Sequence, residues 1–211
     1  MKPNAIFFDV DGTILPFEGI VRHLQNACRH FKVRIVTKKE IMKNAVGYTI
    51  KESMPKLVPE TKKFINEFSD YYRSIYNKDV KSIKPFPSVK KVFTWIKKRK
   101  IKIGIVTTKS RIQAEVTLNY YKLPYNVVIG HDDVKKRKPN SEPVLKACKI
   151  LGLKPKDCIF VGDHPFDMIA SRRAGCLPVG VLTGWGNRKN LKAAGAKYLI
   201  KDLRGLKKII E

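Results

Sequence analysis

Apolar residues recur along this chain with two different periods. Ala5-Ile6-Phe7-Phe8 is a continuous apolar run that stops at Asp9-Val10-Asp11-Gly12-Thr13. A run this short, bounded by a glycine turn, predicts a strand buried on both faces of a parallel sheet. From Phe17 the period changes. Phe17, Ile20, Val21, Leu24, Ala27, Cys28 and Phe31 recur at three- and four-residue intervals, as one apolar face of a helix requires. A second helix is expected from Thr37, a suitable N-cap, to about Glu52, and a third from about Glu60 to Tyr76, with Pro55 and Pro59 breaking the chain between them. Beyond Pro85-Phe86-Pro87 helix and buried strand alternate: helix 88–99, strand 101–106, a helix opening at 107–110, strand 127–129, helix 140–151, strand 159–161 and helix 165–174. Weaker repeats follow at 178–182, 189–194, 198–200 and 203–210.

Alternating units of this kind predict an α/β fold, a doubly wound parallel Rossmann-like sheet. Residues 1–15 and 85–211 form its core, and 16–84 a small all-helical cap domain inserted after the first strand. At 43% hydrophobic the chain is globular. No stretch approaches the roughly 18 apolar residues of a membrane span, and Met-Lys-Pro-Asn runs directly into a strand, so a cytoplasmic location and no membrane partner are expected. Cys28, Cys148, Cys158 and Cys176 are scattered, which predicts four free thiols.

The formal charge of +26 changes the picture only in part. A basic balance is the footprint of nucleic-acid binding. Residues 16–84 hold 15 Lys and Arg against 7 Asp and Glu, and the other 142 hold 29 against 11, so the basicity is spread over both parts. A general attraction for polyanions follows, through a non-specific basic surface. Oligomeric state is not encoded in any pattern found.

Polar residues gather at the strand ends, where open α/β sheets bind ligands. Asp9 and Asp11 end the first strand, Thr107 and Thr108 the next, Lys138 precedes Pro139, and Gly162-Asp163-His164-Pro165-Phe166-Asp167 follows the strand at 159–161. Each has a structural alternative: Thr107 or Ser110 as a helix N-cap, Lys138 as one solvated base of four, Asp163 as a cap, Asp167 at a helix's positive end. Their arrival in order at one edge favours phosphoryl transfer. Magnesium takes oxygen ligands and bridges one or two carboxylates to a phosphate, which Asp9 and Asp163 can supply. Asp9 can also act as a nucleophile, with Asp11 as general acid and base. Thr107, the amide of Thr108 and Lys138 can hold phosphoryl oxygens.

Those residues resemble the four motifs of the haloacid dehalogenase superfamily, over essentially the whole chain. Asp9-Val10-Asp11-Gly12-Thr13 is similar to its first motif, residues 103–107 to its second, Lys138-Pro139 to its third, and Gly162-Asp163 through Asp167 to its fourth. The phosphoglycolate phosphatase-like branch is the nearest resemblance. It implies Asp9 as nucleophile, Asp11 as acid and base, and Thr107 and Lys138 as phosphate binders. Asp9, Asp163 and the backbone carbonyl of Asp11 are then Mg2+ ligands, supported by Asp167. The implied function is hydrolysis of a small phosphorylated metabolite, with pyrophosphatase, phosphotransferase or mutase, and polyanion binding on this fold as alternatives. Arg22, Tyr48 and Lys51 of the insert are candidates for specificity, and Gly184-Trp185-Gly186 also resembles a stretch of that branch.

Overall fold

In the computed structural model, which describes residues 2–210, Ala5–Phe8 forms β1 with all four side chains fully buried. The chain then leaves for a helical insert. It divides into two compact units, one made of the segments up to Pro16 and from Lys84 onward, the other of Phe17–Ile83. Within the insert, α1 (Glu18–His30) buries Val21, Leu24, Ala27 and Cys28 against Phe68 and Tyr72 of α4 (Ile65–Lys78), in one cluster with Ile41 of α2 (Lys38–Asn44) and Met54 of α3 (Ile50–Leu57). Thr37 caps α2 as expected: its hydroxyl accepts from Glu40 N at 3.2 Å, and the Glu40 carboxylate accepts from Thr37 N at 2.8 Å.

Two boundaries in the insert differ from the periodicity reading. The single helix expected from Thr37 to Glu52 is two, because the Glu52 carboxylate reaches back to accept from Thr49 N at 2.9 Å and from its hydroxyl at 2.8 Å, which starts α3 afresh. Pro55 lies inside α3 and does not break the chain there. The helix expected from Glu60 begins as a 3-10 turn, Pro59–Phe64, and becomes α-helical only at Ile65, because Phe64 leaves helical geometry at φ −139° and ψ 34°.

The other unit continues with α5 (Val89–Lys98), β2 (Lys102–Val106), α6 (Arg111–Tyr120), β3 (Val127–Ile129) and α7 (Glu142–Leu151). It ends with β4 (Cys158–Gly162), α8 (Pro165–Ala174), β5 (Leu177–Val181), α9 (Arg188–Ala193), β6 (Tyr198–Ile200) and α10 (Lys207–Ile210). All strand pairs are parallel, in the order β3-β2-β1-β4-β5-β6. Successive side chains of β1 serve opposite faces, as a pleated strand requires. Ala5 and Phe7 pack with Val144 and Ala147 of α7 and Ala170 of α8, whereas the ring of Phe8 lies 4.8 Å from that of Phe93 on α5. Both faces are therefore covered, which is why the strands read as unbroken apolar runs.

The order steps outward from β1 through β2 to β3, then returns across β1 to β4. That reversal puts a switch point at the carboxyl ends of β1 and β4, where such sheets open a ligand crevice. Among the described residues the four cysteines are free and buried, and no helix is long and apolar enough to cross a membrane.

Candidate active site

Asp9 is the first residue past β1, and its N–H still donates to Val161 O of β4 at 3.0 Å. The chain then turns tightly: Gly12 takes φ 80°, a left-handed conformation natural to glycine, and Ile14 and Leu15 N–H both donate to Val10 O. This turn delivers Thr13 to β4, where its hydroxyl donates to Asp163 Oδ1 at 3.0 Å. Asp163 Oδ2 accepts from Trp185 N at 2.8 Å. The loop carrying Trp185 can come this close because residue 184 is glycine, where a Cβ would stand 2.1 Å from Asp163 Oδ2.

Local chemistry distinguishes the alternative roles of these polar residues. The α6 N-cap is Ser110, which leaves Thr107, buried at the end of β2, available for another task. His164, and not Asp163, caps α8: its Nδ1 accepts from Phe166 N at 3.1 Å. Burial and the Lys138 ammonium push the His164 pKa down to about 4, against a smaller opposite pull from Asp9, so the ring is neutral at pH 7. Asp167 does serve the start of α8, with Oδ2 accepting from His164 N at 3.0 Å, while its Oδ1 faces Lys138 at 2.6 Å.

Lys138 is a buried hub. Its Nζ donates to Val106 O at 3.0 Å and to Asp167, and lies 3.1 Å from Asp9 Oδ1. Burial alone would lower its pKa, but Asp167 and Asp9 together outweigh that and raise it, so Lys138 is charged. Asp9 Oδ1 is buried, and among the described residues it has this ion pair and no further hydrogen bond. Burial keeps Asp9 above the usual carboxylate range, with Lys138 pulling down and Asp167 pushing up.

Asp9, Asp163 and Asp167 each offer an oxygen within 4.8 Å of the others. The described partners of Asp163, the Thr13 hydroxyl and the Trp185 amide, are both uncharged. The Lys138 ammonium pairs with Asp9 and Asp167, and no described cation pairs with Asp163. Burial, Asp167 and Asp9 accordingly hold the Asp163 carboxyl well above the ordinary range. An all-oxygen donor set with surplus negative charge suits a hard divalent cation such as Mg2+. Asp163 also makes stability depend on pH when no metal is bound. A folded-state pKa above the unfolded value of about 3.9 means that the folded chain holds this proton longer, so stability falls as pH rises from about 4 through the folded pKa. Denaturant titrations in EDTA from pH 4 to 8 are expected to show that decline and saturating Mg2+ to flatten it; a profile that is flat without metal would contradict the assignment.

The structure brings Asp9, Lys138, Asp163 and Asp167 together directly, and pairs Asp11 with a residue that lies outside the four motifs. Lys109, buried just after Thr107-Thr108, places Nζ 3.0 Å from Asp11 Oδ2. Asp11 is held above the usual range by burial and Asp9, with Lys109 opposing. Its carboxylate is outside the three-oxygen group. Thr108 is half-buried, and no described side-chain contact links it to the cluster. The specificity candidates of the insert are engaged within it: Arg22 with Asp79, Lys51 with Asn66 at 2.7 Å, and Tyr48 beneath Lys56.

An acidic, metal-competent cluster at the switch point of a doubly wound sheet defines the class: a Rossmann-like α/β enzyme working at its strand ends. The chain belongs to the haloacid dehalogenase-like hydrolase family, whose model matches residues 6–181. It is similar to proteins named pyrophosphatase PpaX, 28% identical in Bacillus mycoides (strain KBAB4) over 100% of this chain and 98% of the relative, and 29% identical in Bacillus cereus (strain AH820) over 100% and 97%. Among solved structures it resembles a protein from Bacteroides fragilis provisionally classed as a haloacid dehalogenase-like hydrolase (TM-score 0.87, 26% identity, 97% of this chain and 100% of that one). A predicted phosphoglycolate phosphatase from Haemophilus somnus shares the fold at TM-score 0.86 and 20% identity, over 100% and 99% of the two chains.

Proposed function

We propose that this protein is a magnesium-dependent phosphatase that hydrolyses a small phosphorylated metabolite through a phospho-Asp9 intermediate. The observation that carries the reading is the meeting of Asp9, Asp163 and Asp167 within 4.8 Å, with the Lys138 ammonium paired to Asp9 and Asp167. Asp9, Asp163 and the Asp11 backbone carbonyl would hold Mg2+, with Asp167 in support, and the ion would supply charge that offsets the phosphate's own.

The chain's own groups divide the rest of the work. An Asp9 carboxylate oxygen attacks phosphorus, and the bond to the leaving oxygen breaks as Asp11 gives that oxygen its proton. The raised pKa of Asp11 favours the protonated form this step needs. Asp11 then takes a proton from water as the water attacks the phospho-Asp9 phosphorus, which releases inorganic phosphate and restores both carboxyls. Lys138 and Thr107 offset and orient the phosphoryl oxygens. Lys109, paired with Asp11, positions it. To the insert, residues 17–83, we assign the substrate-selecting role of a cap, a role supported by its place in the chain between the Asp11 turn and the Thr107 segment.

Pyrophosphate is the second reading, favoured by the full-length PpaX relatives. The test is a panel of p-nitrophenyl phosphate, phosphoglycolate, pyrophosphate and nucleotides, assayed for phosphate release with Mg2+ and with EDTA. Release from at least one small substrate, lost in EDTA, is expected. No release across the panel, or release indifferent to EDTA, would count against the proposal; phosphate appearing on an added alcohol in place of free phosphate would make it a transferase.

A further inference from the structure

The phosphoryl site consumes Lys109 and Lys138 and leaves most of the +26 charge without a task. Part of it is concentrated. Residues 88–102 carry seven Lys and Arg, among them Lys90, Lys91, Lys97, Lys98 and Lys100, all exposed, and no Asp or Glu. Residues 197–208 add five more with one acid, Asp202, which is bound to Arg204. The two segments meet over one indole: the Arg99 guanidinium lies 4.1 Å and Lys207 Nζ 5.9 Å from the ring centre of Trp95. They therefore form one basic face.

Some exposed cations elsewhere pair with carboxylates, as in Arg22 with Asp79, Arg34 with Glu40 and Lys38 with Glu18. No described ion pair offsets the lysines of α5. Lys90 with Lys97 and Lys91 with Lys98 stand seven residues, about two turns, apart, so these lysines line one side of α5. Arg99 to Lys102 also lie at the amino end of β2, the edge opposite the carboxylates, where they cannot serve a small substrate at the strand ends.

We propose that this face binds the phosphate backbone of a nucleic acid without reading its sequence. The cations run along about 12 Å of α5, a spread that suits a chain of phosphates better than one small anion. A membrane surface fits less well, because α5 exposes no large apolar side chain for insertion and the 197–208 segment only Tyr198. The proposal is independent of the phosphatase reading.

Fluorescence anisotropy with a labelled 20-base-pair DNA duplex and a 20-nucleotide RNA, from 50 to 200 mM KCl, tests it. Micromolar binding with a steep salt dependence is expected. The triple variant Lys91→Gln/Lys97→Gln/Lys98→Gln should weaken binding about tenfold and lower the duplex salt slope by about 2 to 3. A control of equal charge change, Lys149→Gln/Lys154→Gln/Lys156→Gln, should stay within about twofold, and Asp9→Asn should bind as the unaltered protein does. Equal losses in the two triple variants would reduce the effect to diffuse charge and overturn the proposal. So would binding of phosphatidylglycerol vesicles with none of nucleic acid, or no binding at all.

Discussion

Replacing Asp9 by Asn should lower Mg2+-dependent turnover by on the order of 10⁴-fold or more, while the protein stays folded. The expectation follows from the role: an amide in place of the carboxylate removes the attacking oxygen, and loss of a nucleophile is among the largest single effects in enzymes that form covalent intermediates. It also removes one of the three oxygens that face each other at the strand ends. The stability effect should be small or favourable without metal, because burial and Asp167 already disfavour charge on Asp9 and the substitution relieves that crowding. Rates with p-nitrophenyl phosphate, melting in EDTA, and trapping of labelled phosphate on acid-quenched protein separate the two effects. Turnover within tenfold of the unaltered protein, with the substituted amide confirmed intact by mass spectrometry, would exclude Asp9 as the nucleophile.

How far the sequence anticipates these features depends on whether a feature is local. β1 is legible because four consecutive apolar residues end at two acids and a glycine, and both the strand and its polar end lie within nine residues. The parallel sheet follows from the alternation of elements. The break between α2 and α3 is hidden from periodicity, since Ala45, Val46 and Ile50 continue an apolar pattern across it. A signal was nevertheless present: Thr49 followed three residues later by Glu52 is a capping-box signature. Lys109 had none. In sequence it is one lysine in a polar loop, and its task arises only when the ends of β2 and β1 lie side by side and its ammonium meets Asp11 at 3.0 Å. The same holds for Thr13 and Trp185, whose bonds to Asp163 span 150 and 22 residues. Local chemistry names the carboxylates; the groups that hold them in place are fixed by topology.

Lys138→Met should be the most destabilising substitution at the site, by about 3–5 kcal/mol in EDTA at pH 8. Methionine keeps the length and much of the volume, so the loss isolates charge and hydrogen bonding. The Lys138 side chain is 3% exposed. Removing its ammonium strands Asp9 and Asp167 beside Asp163 with no cation, and leaves Val106 O without this donor. At about 2–4 °C per kcal/mol for a chain of this size, melting should fall by roughly 6–20 °C. Two conditions should shrink the deficit, because each relieves the same surplus charge. Lowering the pH toward 4 protonates the carboxylates, and Mg2+ held by Asp9 and Asp163 would supply positive charge to the same cluster. Adding Asp167→Asn to Lys138→Met should recover part of the loss, a coupling that two independent sites would not give. A deficit below about 1 kcal/mol in EDTA would mean that water reaches these carboxylates and screens them, and the charge imbalance on which the metal assignment rests would then be too small to require a cation.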